Sequence, residues 1–231
     1  MVHLASWAGS VTASHAPETD RSGELSKPRR STGSWRERQE RDPYVARARS
    51  EGWRSRAVYK LEQIDRKEKL LRPGMVCVDL GSSPGSWSQY VTEKLGGRVR
   101  IVALDLLPMD TLPSVEFIQG DFREDDILGQ LESELGEGRA DLVLSDMAPN
   151  ISGNRSVDQP RSMYLAELAL DLCERALRPG GDFVCKLFQG EGTDAFIVAA
   201  RGKFGRVRVM KPDASRPGSR EVYLVARNYH L

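Results

Sequence analysis

The segment Val76 to Trp87, Val-Cys-Val-Asp-Leu-Gly-Ser-Ser-Pro-Gly-Ser-Trp, constrains the fold of this chain more than any other. Met75, Val76 and Val78 make the apolar, β-branched run of a strand covered on both faces, and the run ends in Asp79. Gly81 and Gly85 then allow the backbone to bend sharply and approach a ligand. In an open α/β sheet, such a turn at the carboxyl end of a strand lies in the ligand crevice. The turn lacks the G-x-G-x-x-G spacing and the Lys-Ser/Thr ending of a P-loop, so neither a dinucleotide nor a triphosphate finds its usual cradle.

Strand-like runs recur at 75–80, 99–104, 115–118, 141–145, 182–188, 206–210 and 221–226, and helix-like runs at 86–95, 125–135, 160–177 and 193–202. Ahead of them, the pattern turns helical from about Ser34. A clearer helix is expected from Ser55, as N-cap, to Glu68, with Ala57, Leu61 and Ile64 facing inward. This alternation predicts an α/β fold: a Rossmann-like, seven-stranded, mostly parallel sheet with helices on both faces. The last two runs are joined only by the turn-rich Lys211 to Arg220, which suits one antiparallel strand. A strand ending Asp-x-Gly, followed by a strand ending in Asp105, resembles the S-adenosylmethionine (AdoMet) fold of methyltransferases. A carboxylate at Asp105 can accept both ribose hydroxyls of an adenosine.

With 231 residues and 39% apolar content, the chain can bury one substantial core. No apolar run approaches the roughly 20 residues of a membrane span. The N-terminus has neither a basic region nor a sustained apolar stretch, so the expected location is the cytoplasm. Cys77, Cys173 and Cys185 lie in apolar patterns without C-x-x-C spacing and read as buried small hydrophobes; no metal site is expected. His3, His15 and His230 sit near the chain ends, which leaves Lys, Asp, Glu or Tyr for any general base.

The net charge of +1 hides an asymmetry: residues 1–72 carry roughly +6 and the remainder roughly −5, a split that points to nucleic acid. Arg29, Arg30, Arg36, Arg38, Arg41, Arg47, Arg49, Arg54 and Arg56 cluster near Trp35, Tyr44 and Trp53, a mixture able to bind phosphates and stack on bases. Residues 1–33 are rich in Ser, Thr, Gly and Pro and are expected to be a disordered extension. Residues 34–72 are expected to form a basic helical, nucleic-acid-binding segment leading into the core, and residues 73–231 an AdoMet-dependent methyltransferase domain.

Three further segments place unusual residues at strand ends. Asp146 stands in Ser145-Asp146-Met147-Ala148-Pro149-Asn150, Lys186 follows the apolar Phe183-Val184-Cys185, and Glu221 opens the last strand. With Lys60 they can converge as two cations and two anions around one spot. An unpaired charge such as Lys186 inside an apolar run would be costly.

Together, Ser55-Arg56-Ala57-Val58-Tyr59-Lys60-Leu61, Asp79-Leu80-Gly81, Pro84-Gly85-Ser86-Trp87-Ser88-Gln89, Asp105-Leu106-Leu107-Pro108-Met109, Gln119-Gly120-Asp121-Phe122, Ser145 to Asn150, Lys186 to Glu191 and Ser219 to Tyr223 resemble the FtsJ/RrmJ (RlmE) family of ribosomal RNA ribose methyltransferases. The resemblance covers about residues 34 to 227. Ser82, Ser83 and Ser86 stand where the family usually carries Ala or Gly. The resemblance implies AdoMet-dependent methylation of the 2′-hydroxyl of a uridine in the A-loop of large-subunit (23S) ribosomal RNA, within the subunit or its late precursor, by a monomer. It implies Lys60, Asp146, Lys186 and Glu221 as the catalytic set and Gly85, Trp87, Asp105, Asp121 and Asp146 as cofactor contacts. Lys186, beside Lys60, is expected to have a lowered pKa and to act as the base or final orienter of the hydroxyl. Asp121 is expected to accept from the adenine amino group or, alternatively, to cap a helix. Trp87 would line the cleft or belong to the core. Rivals are a ribose methyltransferase of transfer RNA or an mRNA cap, a non-catalytic RNA-binding assembly factor and, weakest for want of its glycine pattern, an NAD-dependent oxidoreductase.

Overall fold

The computed structural model describes residues 42–230. Its strands are β1 (Met75–Leu80), β2 (Val99–Asp105), β3 (Val115–Gln119), β4 (Ala140–Ser145), β5 (Leu177–Phe188), β6 (Phe204–Met210) and β7 (Glu221–Tyr229). Its α-helices are α1 (Pro43–Ser50), α2 (Val58–Glu68), α3 (Ser86–Lys94), α4 (Asp125–Leu135), α5 (Arg155–Ala176) and α6 (Thr193–Lys203). The strands pair in the order β3-β2-β1-β4-β5-β7-β6, parallel as far as β5, with β7 antiparallel to both its neighbours. The expected seven-stranded Rossmann-like sheet with one antiparallel strand is therefore present.

Strand alternation sorts the core into two layers. Val78 and Leu80 of β1 join Val102, Val143, Phe183 and Leu224 beneath α4, α5 and α6. On the other face Cys77 joins Ile101, Leu142, Leu144, Val184 and Val225 beneath α1, α2 and α3. Helices thus cover both faces, and the three cysteines are buried and free. Among the described residues no helix is long and apolar enough to cross a membrane, and no group of His, Cys, Asp or Glu could hold a metal.

Several element starts differ from those expected. The second helix begins at Val58 rather than Ser55, because Ser55 Oγ accepts from the Ala57 N–H at 3.2 Å and donates to Ser86 Oγ at 2.8 Å, tying the preceding turn to α3. Helix α5 begins at Arg155 rather than 160: Asn154 caps it by accepting from the Ser156 N–H at 3.1 Å, so Pro160 lies inside the helix. Strand β5 starts at Leu177 rather than 182, through a register shift opposite Ala140 and Leu142 and a positive φ of 81° at Gly180. The readings of a disordered extension at 1–33 and of helix from Ser34 to Arg41 lie outside the described residues.

Candidate active site

Side chains two apart on a strand share a face, and that rule builds the site. Leu144, Val184, Tyr223 and Val225 belong to the layer under α1, α2 and α3. Continuing by two residues past the first two gives Asp146 and Lys186, and stepping back by two from Tyr223 gives Glu221. Register brings them together, since Lys186 pairs with Tyr223 and Phe188 with Glu221 across β5 and β7. Lys60, in the first turn of α2, comes down from the same layer.

The four expected charges do converge. Lys60 Nζ lies 2.9 Å from Glu221 Oε2, and Lys186 Nζ lies 3.1 Å from Asp146 Oδ1 and 3.8 Å from Glu221 Oε2. Lys186 also donates to the backbone carbonyl of Asp146 at 3.0 Å. Their side chains are between 9% and 16% exposed, so each charge must be compensated where it sits, and two cations facing two anions achieve this.

Burial pushes the Asp146 carboxyl up, but the charges of Lys186 and Lys60, with the Tyr223 and Lys186 donors, outweigh it and hold it below the usual carboxylate value. Burial alone would pull the Lys186 ammonium down; Asp146 and Glu221 prevail and raise it. The expected lowering of the Lys186 pKa is thus corrected: the two carboxylates in contact with this amine dominate its neighbour Lys60.

Sequence reasoning missed Tyr223 as a member of the site. It is fully buried and donates to Asp146 Oδ1 at 2.6 Å, and its ring centroid lies 5.7 Å from Lys60 Nζ. Its signal was the spacing of two from Glu221. Ser215 was also missed; it donates to Glu221 Oε1 at 2.8 Å.

Asp146 also lines a cleft of about 560 Å³ at the carboxyl ends of β1, β2 and β4, together with Gly81, Asp105, Leu106, Asp121 and Phe122. Asp105 accepts from the Ser83 N–H at 2.9 Å through one oxygen and from the Leu107 N–H at 2.8 Å through the other, which leaves lone pairs on both for ligand hydroxyls. Asp121 does not cap α4, whose N-cap is Glu124. The Arg123 side chain and backbone N–H donate to it and hold its carboxyl below the usual range.

Gly85 and Trp87 are not among the cleft's lining residues. Gly85, with φ of 101°, packs under Arg54 and Met109, where a Cβ would come within 2.7 Å of Arg54 Nη1 and 2.8 Å of Met109 Sδ. The Trp87 ring is 2% exposed, lies 5.8 Å from the Tyr223 ring and donates to the Ala57 carbonyl at 2.8 Å. It is a core aromatic. Arg54 and Arg56, read as members of a phosphate-binding cluster, make backbone contacts within the fold. Arg54 donates to the carbonyls of Pro84, Asp110 and Thr111, and Arg56 to that of Ala214.

An acid-lined cleft that shares one carboxylate with a buried cluster of two lysines and two acids can hold a nucleoside on one side and a polar acceptor on the other. The family model for FtsJ-like methyltransferases matches residues 53–229. The chain is 53% identical over 202 residues to ribosomal RNA large subunit methyltransferase E of Legionella pneumophila, covering 87% of this chain and 98% of that one. It is 54% identical over 195 residues to the protein of the same name from Pseudomonas fluorescens, covering 84% and 93%. Among solved structures, a protein assigned as a ribosomal RNA methyltransferase from Plasmodium falciparum superposes with a TM-score of 0.70 at 32% identity, over 77% of this chain and 98% of that one. Human methyltransferase-like protein 13, in complex with SAH, superposes at 0.55 with 17% identity over 74% and 82%, a likeness of fold alone.

Proposed function

The chain belongs to the FtsJ-like methyltransferase family, and from that premise we propose that it transfers a methyl group from AdoMet to the 2′-hydroxyl of a uridine in the A-loop of 23S ribosomal RNA. The acceptor is the large subunit or its late precursor, and the enzyme works as a cytoplasmic monomer without a metal. RNA binding falls to the basic segment 34–72, which also supplies Lys60 to the site, and residues 73–231 form the AdoMet-dependent methyltransferase domain. The observation that supports this reading most is Asp146, one carboxylate shared between the cleft and the buried charge cluster.

The cleft fits the cofactor: about 560 Å³ falls within the roughly 300–1,000 Å³ of small-molecule sites. Its acids match the donors that AdoMet carries. Asp105 would take the ribose hydroxyls, Asp121 the adenine amino group, once Arg123 yields it, and Asp146 the methionine amino group. Gly85 and Trp87 would contribute backbone at the turn and at the start of α3. AdoMet supplies an electrophilic methyl on a sulfonium, which departs as a neutral thioether and calls for no Lewis acid.

A ribose hydroxyl is a poor nucleophile near neutral pH, so the protein must orient it and favour loss of its proton. Lys186, held charged by Asp146 and Glu221, donates to the hydroxyl oxygen and stabilises the negative charge that develops there. Lys60 and Glu221 position the ribose, and we assign Glu221, the carboxylate that faces both lysines, to take the proton released as the oxygen–methyl bond forms. Asp146 anchors Lys186 and, as a cleft residue, would also hold the amino end of the cofactor.

The test is tritiated methyl transfer from AdoMet to large subunits isolated from a strain lacking this gene, with the product mapped by its alkali-resistant linkage. Label at one A-loop ribose is the expected result. AdoMet binding without RNA label would move the substrate to transfer RNA or a cap.

A further inference from the structure

Glu221 is gripped at both oxygens, and only one grip comes from the charge cluster. Oε2 faces Lys60 at 2.9 Å and Lys186 at 3.8 Å, whereas Oε1 accepts from the Ser215 hydroxyl at 2.8 Å. Ser215 is 4% exposed and sits in the connection between β6 and β7, six residues before the carboxylate it holds. Its neighbour Ala214, fully buried, is fixed from two sides: its N–H donates to Gln63 Oε1 at 3.0 Å and its carbonyl accepts from Arg56. Arg56 in turn pairs with Asp42 at 3.1 Å, and the Ser215 N–H donates to the Pro212 carbonyl at 2.9 Å. Helix α2 therefore contributes Lys60 to the site and, through Gln63, also fixes the loop that delivers Ser215.

We propose that Ser215 is a positioning residue for methyl transfer: its hydroxyl locks the Glu221 carboxylate so that the other oxygen bridges Lys60 and Lys186. The last torsion of a glutamate is broad and roughly two-fold. Without a donor on Oε1, either oxygen can turn toward Lys60, and the bridge to Lys186, already long at 3.8 Å, is the contact that opens. The two lysines then face each other with less shared negative charge, and the acceptor hydroxyl loses its fixed frame. Ser215 neither lines the cofactor cleft nor contacts Asp146, so its removal leaves AdoMet binding intact. The inference rests on the methyltransferase reading for its kinetic consequence, though not for the geometry.

The experiment compares Ser215→Ala and Ser215→Cys in the full-length protein and in a Glu221→Ala background, by single-turnover methyl transfer to large subunits and by AdoMet titration. A hydrogen bond to a charged group corresponds to a loss of roughly 10-fold or more when the donor is removed. Ser215→Ala is expected to lower the transfer rate at saturating RNA by about that factor, with Ser215→Cys between it and wild type and the AdoMet Kd within about two-fold. In the Glu221→Ala background the same change is expected to cost less than about two-fold, because the group it positions is gone. Near-normal transfer by Ser215→Ala, or an equal loss in both backgrounds, overturns the proposal. Nitrogen-15 NMR of the Lys60 and Lys186 ammonium groups reads the same coupling without RNA: Ser215→Ala is expected to move both signals, and unmoved signals overturn the proposal. Wild-type protein that leaves large subunits unlabelled would defeat the functional reading, while the NMR signals would still decide the role of Ser215.

Discussion

Asp79, near the end of β1, is a buried carboxyl that the fold holds toward its neutral form. It is 1% exposed; Ser88 donates to Oδ2 at 2.6 Å, and Oδ1 has no partner. Burial, opposed by the Ser88 hydrogen bonds and reinforced by Asp146 and Asp105, pushes its carboxyl up to about 7. A raised carboxyl pKa means that the fold favours the neutral form. Its contribution to stability is therefore complete below the unfolded value and is lost as pH rises through about 7. At about 1.4 kcal/mol per unit, the loss is at most on the order of 4 kcal/mol. Asp79→Asn, which keeps an acceptor for Ser88, should raise the melting temperature at pH 8.5 and leave it nearly unchanged at pH 4; an equal effect at both would exclude this titration. The cluster behaves oppositely: Asp146 is lowered and Lys186 raised, so their pairing persists from acid well into alkaline pH. Tyr223→Phe removes a donor to an already lowered Asp146 while keeping the ring under Lys60. The expected outcome is a transfer rate reduced several-fold with stability lowered by about 1–2 kcal/mol, checked by turnover and denaturant titration.

At the scale of elements, what the sequence revealed and what it hid have separate causes. Sheet class and the antiparallel end were legible because covered strands are short apolar runs and β6 returns to β7 without a helix. Lys60, Asp146, Lys186 and Glu221 were legible as a set through their motif blocks, and period two then places three of them on one face. Helix starts were less legible. The run read as helical from 160 starts five residues earlier, at Arg155, because Asn154 caps it. Arg54 was hidden altogether, since an arginine beside other arginines reads as a phosphate ligand. Here it staples the turn after β1 to the loop after β2 through three carbonyls, at 3.0, 2.8 and 2.9 Å. Gly85 lies directly beneath it, at a φ that L side chains rarely adopt. Gly85→Ala should therefore push Arg54 off those carbonyls. The expected loss is at least about 1–2 kcal/mol of stability, together with about 10-fold weaker AdoMet binding, read by thermal melting and calorimetry. Unchanged binding would show that the staple does not shape the cleft.

For the whole molecule, the excess of basic charge before β1 has to be divided between fold and substrate. Lys60 is paired with Glu221, Arg47 with Glu51, Arg66 with Glu62 and Arg72 with Asp141, while Arg54 and Arg56 bind carbonyls. Most of the cations between residues 42 and 72 are therefore internal partners, and a surface charge count overstates the field available to RNA. Arg49, exposed on α1, and Arg216, half-exposed in the loop that holds Ser215, are the two cations we assign to phosphate contacts. Asp42, the N-cap of α1, reaches Arg216 at 3.5 Å, so Arg216 ties that loop to the start of α1. Phosphate contacts release counterions, and each one contributes about 0.7 to the salt slope of single-stranded RNA binding. Replacing both Arg49 and Arg216 by Ala should lower that slope by one to two contacts' worth and weaken RNA binding, with AdoMet affinity unchanged. Arg66 is the control: it lies six residues along α2 from Lys60, about 9 Å up the helix, and 71% exposed. If Arg66→Ala flattens the slope and the double variant does not, the RNA crosses the opposite end of α2, and the segment before β1 serves the fold rather than the substrate.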